Sequence, residues 1–409
     1  MTFGLILLQT ALVLATPESV DWPQFRGPNG QGISYATELP LEFSDTENVT
    51  WKTSLPGKGW SSPVIEGDRI WMTTATDEGR SLRALCVDRD SGKLLHDVEI
   101  YSREEPLPAN TKNSHASPTP IVEDGHVYVH FGSAGTACLD RDGKILWKKD
   151  DLVIDHKEGP GSSPVLHENL LILNFDGRDE QYVIALDKQT GRTVWKTERT
   201  GEFPENTEQH KAYSTPLIVE IDGKPQLVSP GAQQVVAYDP ATGEELWKVR
   251  YNGFSNVPRP VFADGMFFIS TGYMKPQLWA IRAGGSGNVT DSHVAWKVTR
   301  QAPANPSPLV VGDEVYMVSD RGIATCMDAK TGEIHWQKRL GGNYSASPLF
   351  ADGRIYFSSE QGKVTVIKPG TEYEVLVVNE LPGRLMASPA VSGHSLYFRT
   401  DQDLYRFDK

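Results

Sequence analysis

One short phrase returns eight times along this chain and constrains its fold more than any other feature. Each copy contains Ser-Pro or a close variant, an apolar run and a tight Asp-Gly-like turn, and the copies recur about every 47 residues. The repeat prolines are Pro63, Pro118, Pro164, Pro216, Pro260, Pro308, Pro348 and Pro389. Short β-rich runs separated by turn residues occur four to a repeat. The sequence therefore predicts an all-β, eight-bladed β-propeller with four-stranded antiparallel blades.

A second pattern places a large aromatic ring near the end of many repeats. The motif Ala-x-Asp-x-x-Thr-Gly-x-x-x-Trp stands at Ala185–Trp195 and again at Ala237–Trp247. We expect each tryptophan to pack between adjacent blades and to bury about 200 Å². The cysteines occupy the small first position of this pattern, so we expect buried free thiols without disulfides. They are Cys86, Cys138 and Cys326.

The two ends of the chain complement each other. The last repeat, from Ser388, offers three strands, whereas residues 48–53 form an isolated strand with its own Trp51. We expect this strand to complete the last blade, so that one propeller spans residues 48–409. Residues 1–15 are apolar and fit a secretory signal peptide, the alternative being an ordered strand. Residues 16–47 form an N-terminal extension, and within it Trp22–Gly32 either covers the channel or lies along the side of the barrel.

Three consecutive connections between repeats are longer than the others. They are Asp97–Ser117, Lys148–Ser163 and Lys196–Thr215. Because they follow one another around the ring, we expect them to form a raised wall beside one mouth of the channel. Loops on a rigid scaffold are common binding elements, so the sequence predicts ligand or partner binding at this face. Their histidines lie near carboxylates, but no metal-ligand spacing is present, and no metal site is predicted.

Residues just before the repeat prolines begin the innermost strands and should point into the channel. Aromatic, arginine and asparagine side chains there would suit a planar or polyhydroxylated ligand, such as a saccharide. The alternative is that the same side chains simply fill the channel. The predicted ligand-binding residues are Trp60, His115, His210, Tyr213, Arg259, Asn305 and Tyr344.

Charge and motif content exclude several function classes. The formal net charge of −13 argues against nucleic acid or an anionic membrane surface as a partner. No nucleophile elbow, P-loop or dinucleotide-binding glycine motif is present, and no catalytic residue is predicted. We expect a monomer without stable membrane insertion.

The tryptophan motif at Ala185–Trp195 and Ala237–Trp247 resembles that of the quinoprotein-type, or PQQ-like, β-propeller repeat proteins. The opening Trp22–Gly30 is also similar to the start of PQQ-repeat proteins that are abundant in planctomycete bacteria. The resemblance covers nearly the whole chain after residue 20. It extends to a PQQ-repeat lipoprotein that assists outer-membrane assembly, although no lipid-anchor cysteine follows the apolar run here.

This resemblance implies three alternative functions. The first is a non-catalytic binding or scaffolding propeller, exported to the periplasm or cell envelope, without a cofactor. The second is a PQQ- and calcium-dependent alcohol or sugar dehydrogenase, but the adjacent cysteine pair that such enzymes place against the cofactor is missing. The third is a polysaccharide-active hydrolase or lyase that uses loop carboxylates. We favour the first, with a protein or a small polar ligand bound at the long connections.

Overall fold

The computed structural model describes residues 21–409, which form eight separate sheets arranged as propeller blades. The predicted signal peptide, residues 1–15, lies outside the described residues. The four main strands of each blade are antiparallel and follow the chain from the channel outward, apart from the closing strand of blade 8. Blade 4 also has a parallel fifth strand, described below. The eight-bladed prediction is confirmed. Among the described residues, no helix has the length and apolar character needed to cross a bilayer.

The first four blades are continuous in sequence. Blade 1 contains β2 (Val64–Glu66), β3 (Arg69–Thr76), β4 (Ser81–Asp88) and β5 (Leu94–Ser102). Blade 2 contains β6 (Ile121–Glu123), β7 (His126–His130), β8 (Thr136–Asp140) and β9 (Ile145–Lys149). Blade 3 contains β10 (Val165–His167), β11 (Leu170–Asp176), β12 (Gln181–Asp187) and β13 (Thr193–Glu198). Blade 4 contains β14 (Leu217–Ile221), β15 (Lys224–Gly231), β16 (Gln234–Tyr238) and β17 (Glu245–Arg250).

The last four blades include the one insertion and the closing blade. Blade 5 contains β18 (Val261–Ala263), β19 (Met266–Ser270), β20 (Leu278–Arg282) and β22 (Val294–Val298). Blade 6 contains β23 (Leu309–Val311), β24 (Glu314–Val318), β25 (Ile323–Asp328) and β26 (Ile334–Arg339). Blade 7 contains β27 (Leu349–Ala351), β28 (Arg354–Ser358), β29 (Lys363–Lys368) and β30 (Glu374–Glu380). Blade 8 contains β31 (Ala390–Ser392), β32 (Ser395–Arg399), β33 (Asp403–Phe407) and β1 (Val49–Ser54).

Helical structure is confined to short turns. The only α-helix of the described chain is α1 (Thr290–His293), and the 3₁₀ turns are Asp77–Gly79, Gly132–Ala134 and Thr207–His210.

Each docking tryptophan joins its blade to the next one. The indole nitrogen of Trp195 donates to the carbonyl oxygen of Pro240 in the following blade, at 3.1 Å. Its ring covers Gly243, where an added Cβ would lie 2.5 Å from a ring carbon. The Thr-Gly turn is thus the surface on which the ring of the preceding blade rests. The same indole-to-carbonyl contact occurs at Trp51, Trp147, Trp296 and Trp336.

Blade 4 departs from this pattern because blade 5 lacks the Thr-Gly turn. The indole of Trp247 donates instead to Gln226 in its own blade, at 2.8 Å. A segment of blade 5, β21 (Gly287–Asn288), returns and pairs in parallel with Trp247–Lys248 as a fifth strand. Trp247 is consequently fully buried. The insertion replaces the missing turn as the cover of this ring.

The N-terminal strand closes the ring as predicted. Strand β1 pairs antiparallel with β33, and Trp51 lies opposite Arg406. The indole of Trp51 then docks on blade 1, where it donates to Arg89 at 3.0 Å. Residues 48–53 were expected to form this strand, and it covers Val49–Ser54.

The segment before β1 replaces a missing tryptophan between blades 7 and 8. Val377 stands where six of the other blades carry the tryptophan. The side chain of Asn379 accepts from the backbone of Phe43 and donates to the carbonyl of Leu41, both at 3.0 Å. The Phe43 ring packs 4.7 Å from that of Phe407, measured between centroids. The described part of the N-terminal extension therefore contributes to the packed core.

Residues 22–33, here called the N-terminal plug, cross one end of the channel. Trp22 forms a two-way backbone bridge with Ile65 of blade 1. At the other side, Ile33 pairs with Phe350 of blade 7. Between these contacts, the side chain of Gln31 accepts from the backbone of Phe262 in blade 5, at 2.7 Å. Of the two positions that the sequence left open, the structure shows the one that covers the channel.

Candidate functional site

The channel contains a cavity of about 570 Å³ that is closed at one end. Phe25 of the plug forms its floor, and residues of the inter-blade connections form its upper lining. The cavity therefore opens at the face of the three long connections. Aromatic and amide side chains both line this opening. They are Trp60, Asn110, Asn113, Tyr213, Phe254, Tyr273 and Asn305.

The repeat positions predicted to face the channel do so once the register of two repeats is corrected. Strand β6 begins at Ile121, so the structural equivalent of the other repeat prolines is Pro120 and not Pro118. The residue three positions before the proline lines the cavity in every blade. These eight residues are Trp60, Ser117, Gly161, Tyr213, Val257, Asn305, Ser345 and Met386.

Of the predicted ligand-binding residues, Trp60, Tyr213 and Asn305 line the cavity. His115 and Tyr344 do not, because the true channel positions in their repeats are Ser117 and Ser345. The placement of these two side chains in the channel was wrong.

The displaced side chains have structural partners elsewhere. The Nε2 atom of His115 lies 2.8 Å from the carbonyl oxygen of Leu107, and the ring borders a separate cavity of about 460 Å³. Tyr344 is buried in the hydrophobic cluster between blades 6 and 7. Each side chain therefore stabilises its own loop or blade.

His210 and Arg259 also lie outside the cavity lining. The Nε2 atom of His210 is 2.7 Å from the carbonyl oxygen of Pro204, and its ring packs on Phe203. Arg259 is buried beneath the floor, where Nη1 donates to the carbonyl of Phe25 at 2.6 Å. It thus anchors the plug and approaches the cavity only through Phe25.

The three long connections form a continuous wall, as expected from their positions in the chain. The Asn110 side chain in the first donates to Glu158 in the second, at 2.8 Å. The Tyr213 hydroxyl in the third donates to the carbonyl of His156 in the second, at 2.8 Å. These bonds hold the wall in one arrangement beside the mouth.

Glu208 is the most strongly perturbed carboxylate of the wall. Hydrogen bonds from Lys157 and Lys211, together with Arg178, lower the pKa of Glu208 to about 2. Lys211 also lies 3.5 Å from Glu158. A general acid of a glycosidase needs a raised pKa, so Glu208 does not suit that role.

A ring of hydroxyl groups surrounds the lower cavity, and the sequence analysis missed it. The residue directly before the structural proline is Ser or Thr in seven blades and Arg259 in blade 5. Each hydroxyl oxygen accepts the backbone N–H of the equivalent residue in the preceding blade, at 2.9–3.1 Å. We call this ring the hydroxyl belt: Ser62, Thr119, Ser163, Thr215, Ser307, Ser347 and Ser388. The repeated Ser/Thr-Pro pairs were the signal that could have revealed it.

The cavity lining contains no adjacent cysteine pair of the kind that PQQ enzymes place against the cofactor, and its carboxylates are already paired with a lysine. No cluster of three His, Cys, Asp or Glu residues suited to a metal occurs within residues 21–409. The three cysteines are buried in the blades, and burial raises the pKa of each thiol to about 12. The two glutamates of the lining, Glu158 and Glu208, are already paired with Lys211.

The architecture is that of an eight-bladed propeller with a cavity inside its channel that is closed at one end. The family model described as outer membrane protein assembly factor BamB matches residues 42–150 and 179–409. The chain therefore belongs to this family of PQQ-like β-propeller proteins.

Related proteins fall into two groups. An outer membrane protein assembly factor BamB of Shewanella oneidensis is 22% identical over 67% of this chain and 69% of its own length. A methanol dehydrogenase subunit 1 of Methylorubrum extorquens is 26% identical over 67% of this chain. This chain matches only 47% of that dehydrogenase subunit.

Solved structures of both groups share the fold. BamB from Moraxella catarrhalis aligns over 88% of this chain and 99% of its own, with a TM-score of 0.62 and 14% identity. Quinohemoprotein alcohol dehydrogenase from Comamonas testosteroni aligns over 95% of this chain and 80% of its own, with a TM-score of 0.68 and 11% identity. At these identities the similarity concerns the fold alone.

Proposed function

We propose that this protein is a non-catalytic binding propeller of the cell envelope, which holds a small polar ligand of the saccharide class in its channel cavity. The observation that carries the proposal is the cavity of about 570 Å³ inside the channel, which is closed at one end and open at the face of the long connections. Its aromatic rings offer faces for stacking on sugar rings, and its amides and hydroxyls offer hydrogen bonds to sugar hydroxyls.

The relatives support export and a partner in the envelope. A BamB protein is named as an outer membrane protein assembly factor, and the apolar N-terminus predicts secretion. In our proposal the protein acts as a monomer, and a protein partner would contact the wall of long connections, beside the saccharide. No cofactor takes part in this binding.

The dehydrogenase and hydrolase alternatives have weaker support from the site. A PQQ-dependent enzyme would need a calcium site, and residues 21–409 contain no cluster of three His, Cys, Asp or Glu residues that could hold a metal ion. A glycoside hydrolase would need a protonated carboxyl group, whereas the pKa of Glu208 is lowered to about 2 by its hydrogen bonds with Lys157 and Lys211. A calcium-dependent rise in melting temperature on adding PQQ would contradict the proposal.

Filling the cavity tests saccharide binding directly. Val257 lines the cavity, so Val257→Trp should place an indole in the space that the sugar needs. An array of neutral and acidic oligosaccharides should retain the wild-type protein, and calorimetry should show at least a tenfold loss of affinity in the variant.

A matched control is Val194→Trp, on the outer strand of blade 3, where the side chain is 52% exposed. This variant should bind as the wild type does. The proposal is wrong if the wild type binds no oligosaccharide, or if Val257→Trp binds as tightly as the wild type while folded.

A further inference from the structure

The hydroxyl groups of the belt accept hydrogen bonds but have no acceptor for their own protons in the described chain. Each of the seven oxygens accepts one backbone N–H. None of the seven hydroxyl groups donates a hydrogen bond to another atom of the described residues. All seven residues line the cavity. Since a hydroxyl has one donor and two acceptor sites, the belt presents a ring of O–H donors to whatever occupies the channel.

Two positive charges lie directly beneath this ring. Arg259 occupies the belt position of blade 5, and its backbone N–H continues the belt by donating to Ser307 at 2.9 Å. Its guanidinium donates only to neutral groups, the carbonyls of Pro216 and Phe25 and the side chain of Gln24. The charge of Arg259 thus lies just behind the residue that forms the cavity floor.

Arg26 of the plug is the second charge. It is 1% exposed, and its Nη2 atom donates to the carbonyls of Gln31 and Pro308. Its Nε and Nη1 atoms have no hydrogen-bond partner in the described chain. Burial, and then the charge of Arg259, lowers the pKa of Arg26 to about 9, so both guanidinium groups are charged at neutral pH.

Neither arginine has a compensating carboxylate in the part of the chain that the structure describes. No ion pair of Arg26 or Arg259 occurs within residues 21–409, although the chain as a whole carries a net charge of −13. In the same interior, by contrast, Arg199 is paired with the buried Asp176 at 2.5 Å. Buried charges are costly unless they are paired, so an anion bound at the floor would offset part of the cost of burying these two guanidinium groups.

We propose that the floor binds the anionic group of an acidic saccharide, which the belt hydroxyls hold above the Arg26–Arg259 pair. This inference rests on the proposed saccharide binding and names the class of sugar. A carboxylate is an acceptor with about four lone-pair sites, which suits several converging O–H donors. The remaining donors and the amides nearer the mouth bind the sugar hydroxyls.

A comparison of two ligands tests the proposal with the wild-type protein alone. Trigalacturonate and its methyl ester share the same sugar chain and differ in the charge of the carboxyl groups and in the added methyl groups. Calorimetry should show that the acid binds at least tenfold more tightly. A sulfated galactose trisaccharide shows whether the floor prefers a carboxylate or accepts either anion. If acid and ester bind equally, the anionic site is wrong and saccharide binding stands. If neither they nor any other oligosaccharide binds, the proposed function itself is wrong.

Arg259→Ser removes one charge and supplies the hydroxyl that the belt lacks in blade 5. In this variant the ratio of the affinities for the acid and for the methyl ester should fall below about threefold, whatever the affinity for the ester itself. Arg259→Lys keeps the charge and should keep the preference. Unchanged discrimination in a folded Arg259→Ser variant would overturn the proposal. If this variant does not fold, the comparison of acid and ester on the wild type still tests whether the floor binds an anionic group.

Discussion

His130 illustrates how burial sets the chemistry of a single side chain in this fold. It is 1% exposed, its Nδ1 atom lies 2.9 Å from the Thr136 hydroxyl, and its ring meets Phe175 edge-on. Burial, and then the charge of His156, lowers the pKa of His130 to about 3. The imidazole is therefore neutral in the folded protein at any pH where the protein would function.

This lowered pKa predicts sensitivity to acid. Below pH about 6.5 the unfolded chain binds a proton at His130 that the folded protein does not, so the free energy of unfolding falls as the pH falls. In His130→Leu this part of the dependence disappears. Between pH 6.5 and 4.5 the wild type should lose about 2 kcal/mol more than the variant, measured by urea unfolding.

The exposed His335 offers the control for this measurement. His335→Leu removes a histidine from the outer strand of blade 6 and should leave the pH dependence as in the wild type. Parallel pH profiles of His130→Leu and the wild type would contradict the prediction.

At the scale of elements, the contact between a tryptophan and the next turn is the unit that joins blades. The turn residues Gly243 and Gly223 both adopt positive φ, at +75° and +74°. Only Gly243 lies under a ring, since an added Cβ at Gly223 would meet nothing within 4 Å. Comparing alanine at the two glycines therefore separates the backbone cost of alanine, which both share, from the loss of tryptophan docking, which affects Gly243 alone.

Alanine at these two positions should have different effects. Both variants incur the left-handed backbone cost of about 1–2 kcal/mol. Gly243→Ala must also displace the Trp195 ring, so it should lower the free energy of unfolding by about 1–3 kcal/mol more than Gly223→Ala. Denaturant unfolding measures both, and equal losses would show that the ring does not depend on this close contact.

For the whole molecule, ring closure depends on one strand that no short turn connects to its neighbour in the blade. Strand β1 is far in sequence from its neighbour β33, whereas the other outer strands follow their neighbours directly or after a short insertion. Trp51 fixes β1 to blade 1 through its bond to Arg89. The closing blade is therefore the place where the ring should open first.

Loss of Trp51 should selectively increase the local opening of strand β1 in the closing blade. In Trp51→Ala, backbone amides of Val49–Ser54 should exchange with solvent at least tenfold faster than in the wild type, as measured by hydrogen-exchange mass spectrometry. The matched control is Trp296→Ala, which loses an equivalent bond of 3.0 Å to Ala329 but lies in a strand connected within its blade. Equal protection of β1 in both variants would contradict this prediction.

Repeat spacing and turn residues were sufficient to predict the eight blades, the docking tryptophans and the closing strand from the sequence. These features are local and recur in each repeat, so the strand and turn assignments of one repeat support those of the others. The wall of long connections was also predictable, because consecutive repeats are neighbours in a ring. The channel residues were predicted correctly where the repeat register was clear, at Trp60, Tyr213 and Asn305.

Only the tertiary structure decided how the channel is closed and charged. The two-residue register error in blade 2 placed His115 in the channel instead of Ser117, because two prolines there fit the same pattern. The plug carries no repeat, so nothing in its sequence indicated that Phe25 would form the floor or that Arg26 would lie beside Arg259. Those contacts join residues more than 230 positions apart, and such pairing depends on the closed ring rather than on any local preference.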